Sequence, residues 1–184
     1  MNEKMSGRVA CYVSTAAIGA AVLGSYGYLS TQKHLDSYWA GLKGPVFKYW
    51  AVSALITAAS FLFLIVNWCF LLNGNTTTIY GKTLNDSFTP LILPILLVFL
   101  LSAATWAWIT IAARKGNKLA SKAVTLCLWL TALSSFGLFI LAVGTREEGS
   151  AVGWKVPLAT VAGMFVASHH IIWDAELWRA TWPY

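Results

Sequence analysis

Charged residues are scarce in this sequence. Lysine, arginine, aspartate and glutamate together make up 11% of its 184 residues, whereas hydrophobic residues make up 58%. That charged share is about half of what a soluble globular domain carries. A surface built from this composition would not stay dispersed in water. The sequence therefore predicts that a lipid bilayer surrounds most of the chain.

Cysteine motifs are missing as well. Cys11, Cys69 and Cys127 lie far apart, and none belongs to a CxxC or Cys/His pattern, which excludes the usual zinc and redox motifs. We interpret each cysteine as a small buried hydrophobic residue. Cys11 and Cys69 are expected at similar depth in the membrane, where a disulfide would require their two helices to touch.

Motifs for catalysis and nucleotide binding are also lacking. The sequence contains no P-loop, nucleophile elbow, HExxH or dinucleotide fingerprint. With three histidines and seven acidic residues in the whole chain, we predict that the protein is not an enzyme. The net charge of +6 is spread over loops instead of lining one helix face, so nucleic-acid binding is not predicted.

Ionisable residues are nearly absent from the first four long apolar runs. Membrane pumps, voltage sensors and many channels depend on such residues or on glycine-rich filter loops. Their absence argues against a proton-coupled pump and against a channel built from charged side chains. An oligomeric pore lined by serine, threonine and asparagine remains an alternative.

The sequence does contain five apolar runs of bilayer-spanning length, for which about 20 residues are needed. We predict an all-α fold, a single-domain polytopic helical membrane bundle. Ten tryptophans, many near predicted helix ends, agree with aromatic belts at the two interfaces. Re-entrant or interfacial placement is the alternative for the last and shortest run. The predicted spans 1 to 5 cover residues 9–30, 47–72, 91–114, 119–143 and 156–173.

The positive-inside rule orients this bundle. Arg114, Lys115, Lys118 and Lys122 form the densest positive charge in the sequence, and such loops stay in the cytoplasm. The N-terminus is then outside and the C-terminus cytoplasmic, although Lys4 and Arg8 near the start oppose this orientation. Which membrane holds the protein is not predicted.

The most polar segment, residues 73–90, connects spans 2 and 3 on the side opposite the basic loop. It contains two N-x-[ST] patterns, at Asn75 and Asn85. Both are candidate glycosylation sites if this side faces a secretory compartment, although three-residue motifs also arise by chance.

Small and hydroxylated residues indicate how the spans pack. Ala16, Ala20 and Gly24 form a small-xxx-small stripe on span 1, which favours close approach of another helix. We predict that this stripe is buried against protein. The middle of span 4 is expected to form interhelical hydrogen bonds through Thr131, Ser134 and Ser135.

One group of polar residues lies at the end of span 5. His170 and Asp174 are four residues apart, hence on one helical face, and we expect them to be partners. With His169 they are candidate residues for binding a cofactor that the sequence does not identify, or for a structural tether, which we favour. A 2-His-1-carboxylate metal site would need a second helix, because adjacent histidines point about 100° apart on an α-helix, so no metal site is predicted.

These observations favour a non-catalytic integral membrane protein that acts by helix packing, as a scaffold or accessory subunit of a larger assembly. The expected partners are the lipid bilayer and other membrane subunits or further copies of this chain. Two alternatives stay open. One is a small-molecule or ion pathway, and the other is a subunit that binds a cofactor or pigment through histidine.

Overall fold

The computed structural model describes residues 3–31, 44–147 and 155–178, and 87% of these residues are helical. The all-α prediction is confirmed. Five continuous helices are long and apolar enough to cross a membrane, which fits a polytopic membrane protein. The α-helical segments are α1 Glu3–Ser30, α2 Gly44–Val66, α3 Leu84–Ser87, α4 Leu93–Arg114, α5 Lys118–Val143 and α6 Lys155–Ser168.

Three π-helical segments extend these α-helices into the five spans. Asn67–Leu71 continues α2, Phe88–Ile92 joins α3 to α4, and His169–Trp178 continues α6. Spans 3 and 5 are therefore longer than predicted. The apolar spans run Gly7–Leu29, Gly44–Leu71, Leu84–Arg114, Lys118–Val143 and Lys155–Leu177.

The spans pack in an order that differs from their order in the chain. Span 3 packs against spans 1 and 4, span 4 against span 5, and span 5 against span 2. Spans 3 and 4 form a tight helical hairpin, in which Gly116 adopts a φ of 88° after span 3 ends. Asn117 then accepts a hydrogen bond from the Ala120 amide and caps span 4. This hairpin is the centre of the bundle.

One of the predicted interhelical hydrogen bonds connects the two helices of this hairpin. Thr131 donates to Ser102 Oγ across the interface at 2.7 Å. Ser134 and Ser135 instead donate to carbonyls of their own helix. Of the three hydroxyls expected to bond between helices, only Thr131 confirms the prediction.

A small antiparallel sheet closes one end of the bundle, which we call the sheet end. It consists of β1 Thr77–Ile79, β2 Lys82–Thr83 and β3 Thr145–Glu147, in the order β2-β1-β3. Tyr80 and Gly81 both have positive φ, 49° and 79°, as a two-residue type I′ turn requires. The sequence predicted loops here, so the sheet is a finding of the structure.

The opposite end of the bundle, the basic end, carries the loop between spans 3 and 4. A hydrophobic cluster at this end joins Leu29, Trp50, Trp106 and Ile111 with the last turns of span 5. A second cluster fills the other half of the bundle, towards the sheet end. Span 5 starts at the sheet end, where Asn67 donates to the Lys155 carbonyl at 2.8 Å, and ends at the basic end.

Candidate functional site

The predicted polar residues of span 5 lie on its π-helical part. A π-helix bonds residue i to i+5, so it brings residue i+5 closer to the direction of residue i than an α-helix does. Asp174 follows His169 by five residues and His170 by four, and it therefore faces both rings. The expectation that one helix could not bring the three groups together is wrong, because it assumed α-helical geometry.

The distances show a compact cluster, which we call the span 5 triad: His169, His170 and Asp174. His170 Nδ1 and Asp174 Oδ2 are hydrogen bonded at 2.8 Å, so the predicted pairing is confirmed. His169 Nε2 lies 3.7 Å from Asp174 Oδ1. The His169 side chain is 4% exposed and that of Asp174 14%. The carboxylate is thus enclosed and contacts both imidazoles.

Span 2 supplies two further polar contacts to the triad. Ser53 Oγ lies 2.8 Å from Nδ1 of His169, and the Trp50 indole donates to Asp174 Oδ1 at 3.2 Å. From the sequence, the tryptophans near helix ends were interpreted only as interfacial aromatics, and Ser53 was not singled out. No sequence pattern marks either residue as part of the site. Their contact with the triad becomes visible only when span 2 is seen to pack against span 5.

Aromatic rings enclose the triad on its other sides. Phe99 of span 3 meets the His170 ring edge-on, with centroids 5.1 Å apart. Tyr26 and Trp106, with ring centroids 5.6 Å apart, border a cavity that also touches His170 and Asp174. In such surroundings of low polarity, hydrogen bonds and ionic contacts are stronger than in water.

The predicted packing stripe on span 1 lies on the outside. Ala16, Ala20 and Gly24 are all exposed, and a Cβ on Gly24 would meet no described atom within 4 Å. The buried face of span 1 instead contains Cys11 and Leu29, about 180° around the helix from Ala20 at 100° per residue. The described part of the chain therefore leaves this stripe uncovered, and its burial against protein stays a prediction.

A buried stripe of the same kind lies on span 5. Ala159, Gly163 and Ala167 are four residues apart, and all three are buried. A Cβ on Gly163 would stand 3.2 Å from Phe139 Cα and 3.3 Å from Ala142 Cβ of span 4, so glycine permits this close approach. The small-xxx-small pattern was visible in the sequence but was not recognised there.

The sheet end contains the two possible glycosylation sites and the first two cysteines. Asn75 is exposed, whereas the Nδ2 atom of Asn85 donates to Asn75 Oδ1 at 2.9 Å. Cys11 and Cys69 lie at the same depth, as predicted, with sulfur atoms 3.8 Å apart. Both are free thiols.

Arg8 was expected to oppose the orientation of the bundle. Its guanidinium donates to the carbonyls of Trp68 at 2.8 Å and Leu72 at 2.7 Å, at the C-terminal end of span 2. Unpaired carbonyls at a helix C-terminus carry partial negative charge. Arg8 is therefore a bound cation that ties span 1 to span 2.

The triad is the described group of residues best suited to ligand binding. It provides two imidazoles and one carboxylate on a single helix. Span 2 makes polar contacts with these groups, and aromatic rings surround them. Such groups bind metal ions or hold one another in place. Comparison with protein-family models, curated proteins and solved structures finds no match to this chain.

Proposed function

We propose that this protein is a non-catalytic subunit of a larger membrane assembly, which it joins through the outer face of span 1. We define this face as Ala16, Ala20 and Gly24. The observation that carries the proposal is the exposure of this small-residue face in the helix that is least buried.

The hydropathy of span 1 supports a protein partner. Only 17% of its most apolar stretch is buried, against 33–50% in the other four spans. A helix that exposes most of its surface to lipid is expected to be strongly apolar. Yet the mean hydropathy of this stretch is 1.5, against 2.2 in spans 2, 3 and 4 and 1.4 in span 5, which buries about twice as large a share of its most apolar stretch. Contact with another protein would account for this weak hydrophobicity.

The shape of the outer face supports close helix contact. A Cβ on Gly24 would meet no described atom within 4 Å, so the helix backbone there can be approached closely by a neighbouring helix. Small residues spaced at i and i+4 let two helix backbones approach, so that van der Waals contact replaces lipid contact. The partner that fits best is a transmembrane helix of another subunit.

A passage for ions or small molecules is less well supported. The cavity beside the triad encloses about 20 Å³ accessible to water, which is room for about one molecule. A larger groove between Ser60 and Phe165 is open at the outside of the bundle. Neither feature amounts to a path through one copy of the described bundle.

We propose that the basic end faces the cytoplasm, with the N-terminus outside. Lys115, Lys118 and Lys122 are exposed at this end, where cationic loops are retained. The positive charge of Arg8 counts against an outside N-terminus. Its guanidinium is hydrogen bonded to backbone carbonyls, so it is a weaker signal for orientation than a free cation in a loop.

Native mass measurement tests the proposed function. The protein is extracted from its own membrane into lipid nanodiscs, and the parent is compared with Ala20→Leu and Ala21→Leu. Both alanines are exposed in this chain, but they point about 100° apart on the helix. We expect Ala20→Leu to release the chain from its complex and the Ala21→Leu control to retain it.

The outcomes separate the alternatives clearly. A parent mass equal to one chain contradicts the proposal. A mass that is a whole multiple of one chain identifies self-association in place of a heteromeric assembly. Equal retention of both variants would show that the outer face of span 1 is not the contact.

A further inference from the structure

The span 5 triad has the geometry of an incomplete coordination shell. One ring nitrogen of each histidine and one carboxylate oxygen of Asp174 all lie within 4.8 Å of one another. We propose that His169, His170 and Asp174 bind a divalent transition-metal ion. This site is separate from the outer face of span 1 and does not depend on it.

The distances from the carboxylate to the two imidazoles lie on either side of those expected around such an ion. Zinc-like ions lie about 2.0–2.2 Å from imidazole nitrogen and carboxylate oxygen. Ligand atoms at right-angled or tetrahedral positions are then about 3.0–3.4 Å apart. Oδ2 of Asp174 is 2.8 Å from His170 Nδ1, and Oδ1 of Asp174 is 3.7 Å from His169 Nε2. An ion bound to His170 and Asp174 would replace their hydrogen bond.

The contacts from span 2 resemble the outer hydrogen bonds of metal sites. A metal-binding histidine usually has its second ring nitrogen fixed by a hydrogen bond, and a ligating carboxylate is held in the same way. Ser53 contacts the second nitrogen of His169, and Trp50 donates to the Asp174 carboxylate. Both are positioning residues. A simple tether between helices would need only one of the two histidines.

The donor set defines the class of ion. Two imidazoles and one carboxylate suit zinc, iron, cobalt and similar ions, whereas magnesium and calcium prefer oxygen ligands and copper(I) prefers sulfur. The small cavity touches His170 and Asp174 and has room for about one water. Water there would supply a fourth ligand. The cation would also compensate the carboxylate charge inside the bundle, where an ionised group is costly.

Cobalt titration tests this site. The full-length protein in nanodiscs is treated with a chelator and titrated with Co²⁺, whose visible absorption reports nitrogen and oxygen coordination, and Zn²⁺ is then added. We expect one Co²⁺ per chain, displaced by Zn²⁺. Asp174→Asn should weaken binding by about 100-fold or more, since it removes a ligand. The control Glu176→Gln removes the same charge from an exposed position of the same helix and should leave the affinity unchanged.

Ser53→Ala provides an independent measurement if Asp174→Asn fails to fold. It should lower the Co²⁺ affinity about 10–100-fold while the shape of the absorption band is retained. Three results would overturn the proposal: no Co²⁺ absorption in the parent, equal affinity in the parent and Asp174→Asn, or an affinity that Ser53→Ala does not change.

Discussion

Gly163 gives the sharpest test of how spans 4 and 5 pack. It lies in the buried stripe with Ala159 and Ala167, and a Cβ there would be 3.2 Å from the backbone of Phe139. Ordinary carbon contacts are about 3.5–4.0 Å. Because the nearest atom belongs to a helix backbone, it cannot rotate out of the way. Gly163→Leu must therefore push the two helices apart.

The magnitude follows from two opposing terms. Replacing glycine in a helix recovers up to about 1 kcal/mol of helix propensity. Overpacking a tight interface costs about 1–3 kcal/mol, and the rigid contact with Phe139 places Gly163→Leu at the upper end. We expect a net destabilisation of about 2 kcal/mol, roughly a 30-fold change in the folded-to-unfolded ratio.

Reversible unfolding in mixed micelles, followed by tryptophan fluorescence, measures this effect. Met164→Leu is the matched control, because Met164 is the next residue and is exposed on the outside of the bundle. It should change the free energy of unfolding by less than about 0.5 kcal/mol. A Gly163→Leu variant as stable as this control would refute the close approach of spans 4 and 5.

Two other predictions concern the ends of the bundle. A mild oxidant should form a disulfide between Cys11 and Cys69 within one chain, because their sulfur atoms are 3.8 Å apart, and Cys127 should stay reduced. Mass spectrometry of peptides measures this. If it finds both thiols free, the contact between spans 1 and 2 is contradicted. For the orientation, impermeant thiol reagents should reach Cys introduced at Thr76 only from outside and at Lys118 only from the cytoplasm. Both positions are exposed, and labelling of both from one side would disprove the bundle's orientation.

The span count and the helical class were predictable because they depend on local composition. Some 20 apolar residues in succession must cross a bilayer, and this needs no knowledge of neighbours. The sheet was missed because β1 has only three residues and pairs with β3, which lies some 68 positions away along the chain, as from Thr78 to Arg146. Pairing over that distance leaves no local signal.

The triad was predictable in part. The i, i+4 spacing identified the pair of His170 and Asp174, but His169 joined it only because the helix there is π-helical. The spacing of these residues does not indicate that the helix changes from α to π. Burial of small stripes could not be read from spacing alone either, since span 1 and span 5 both carry the pattern.

Site-directed photocrosslinking in native membranes tests most directly whether span 1 contacts another subunit. A photoreactive amino acid is placed at Ala20 in one sample and at Ala21 in the other, and each product is sized after irradiation. Both side chains are exposed in this chain, so any difference reports a neighbour on one face. We expect a discrete protein adduct from Ala20 and essentially none from Ala21. Lipid adducts alone at both positions would contradict the proposed function.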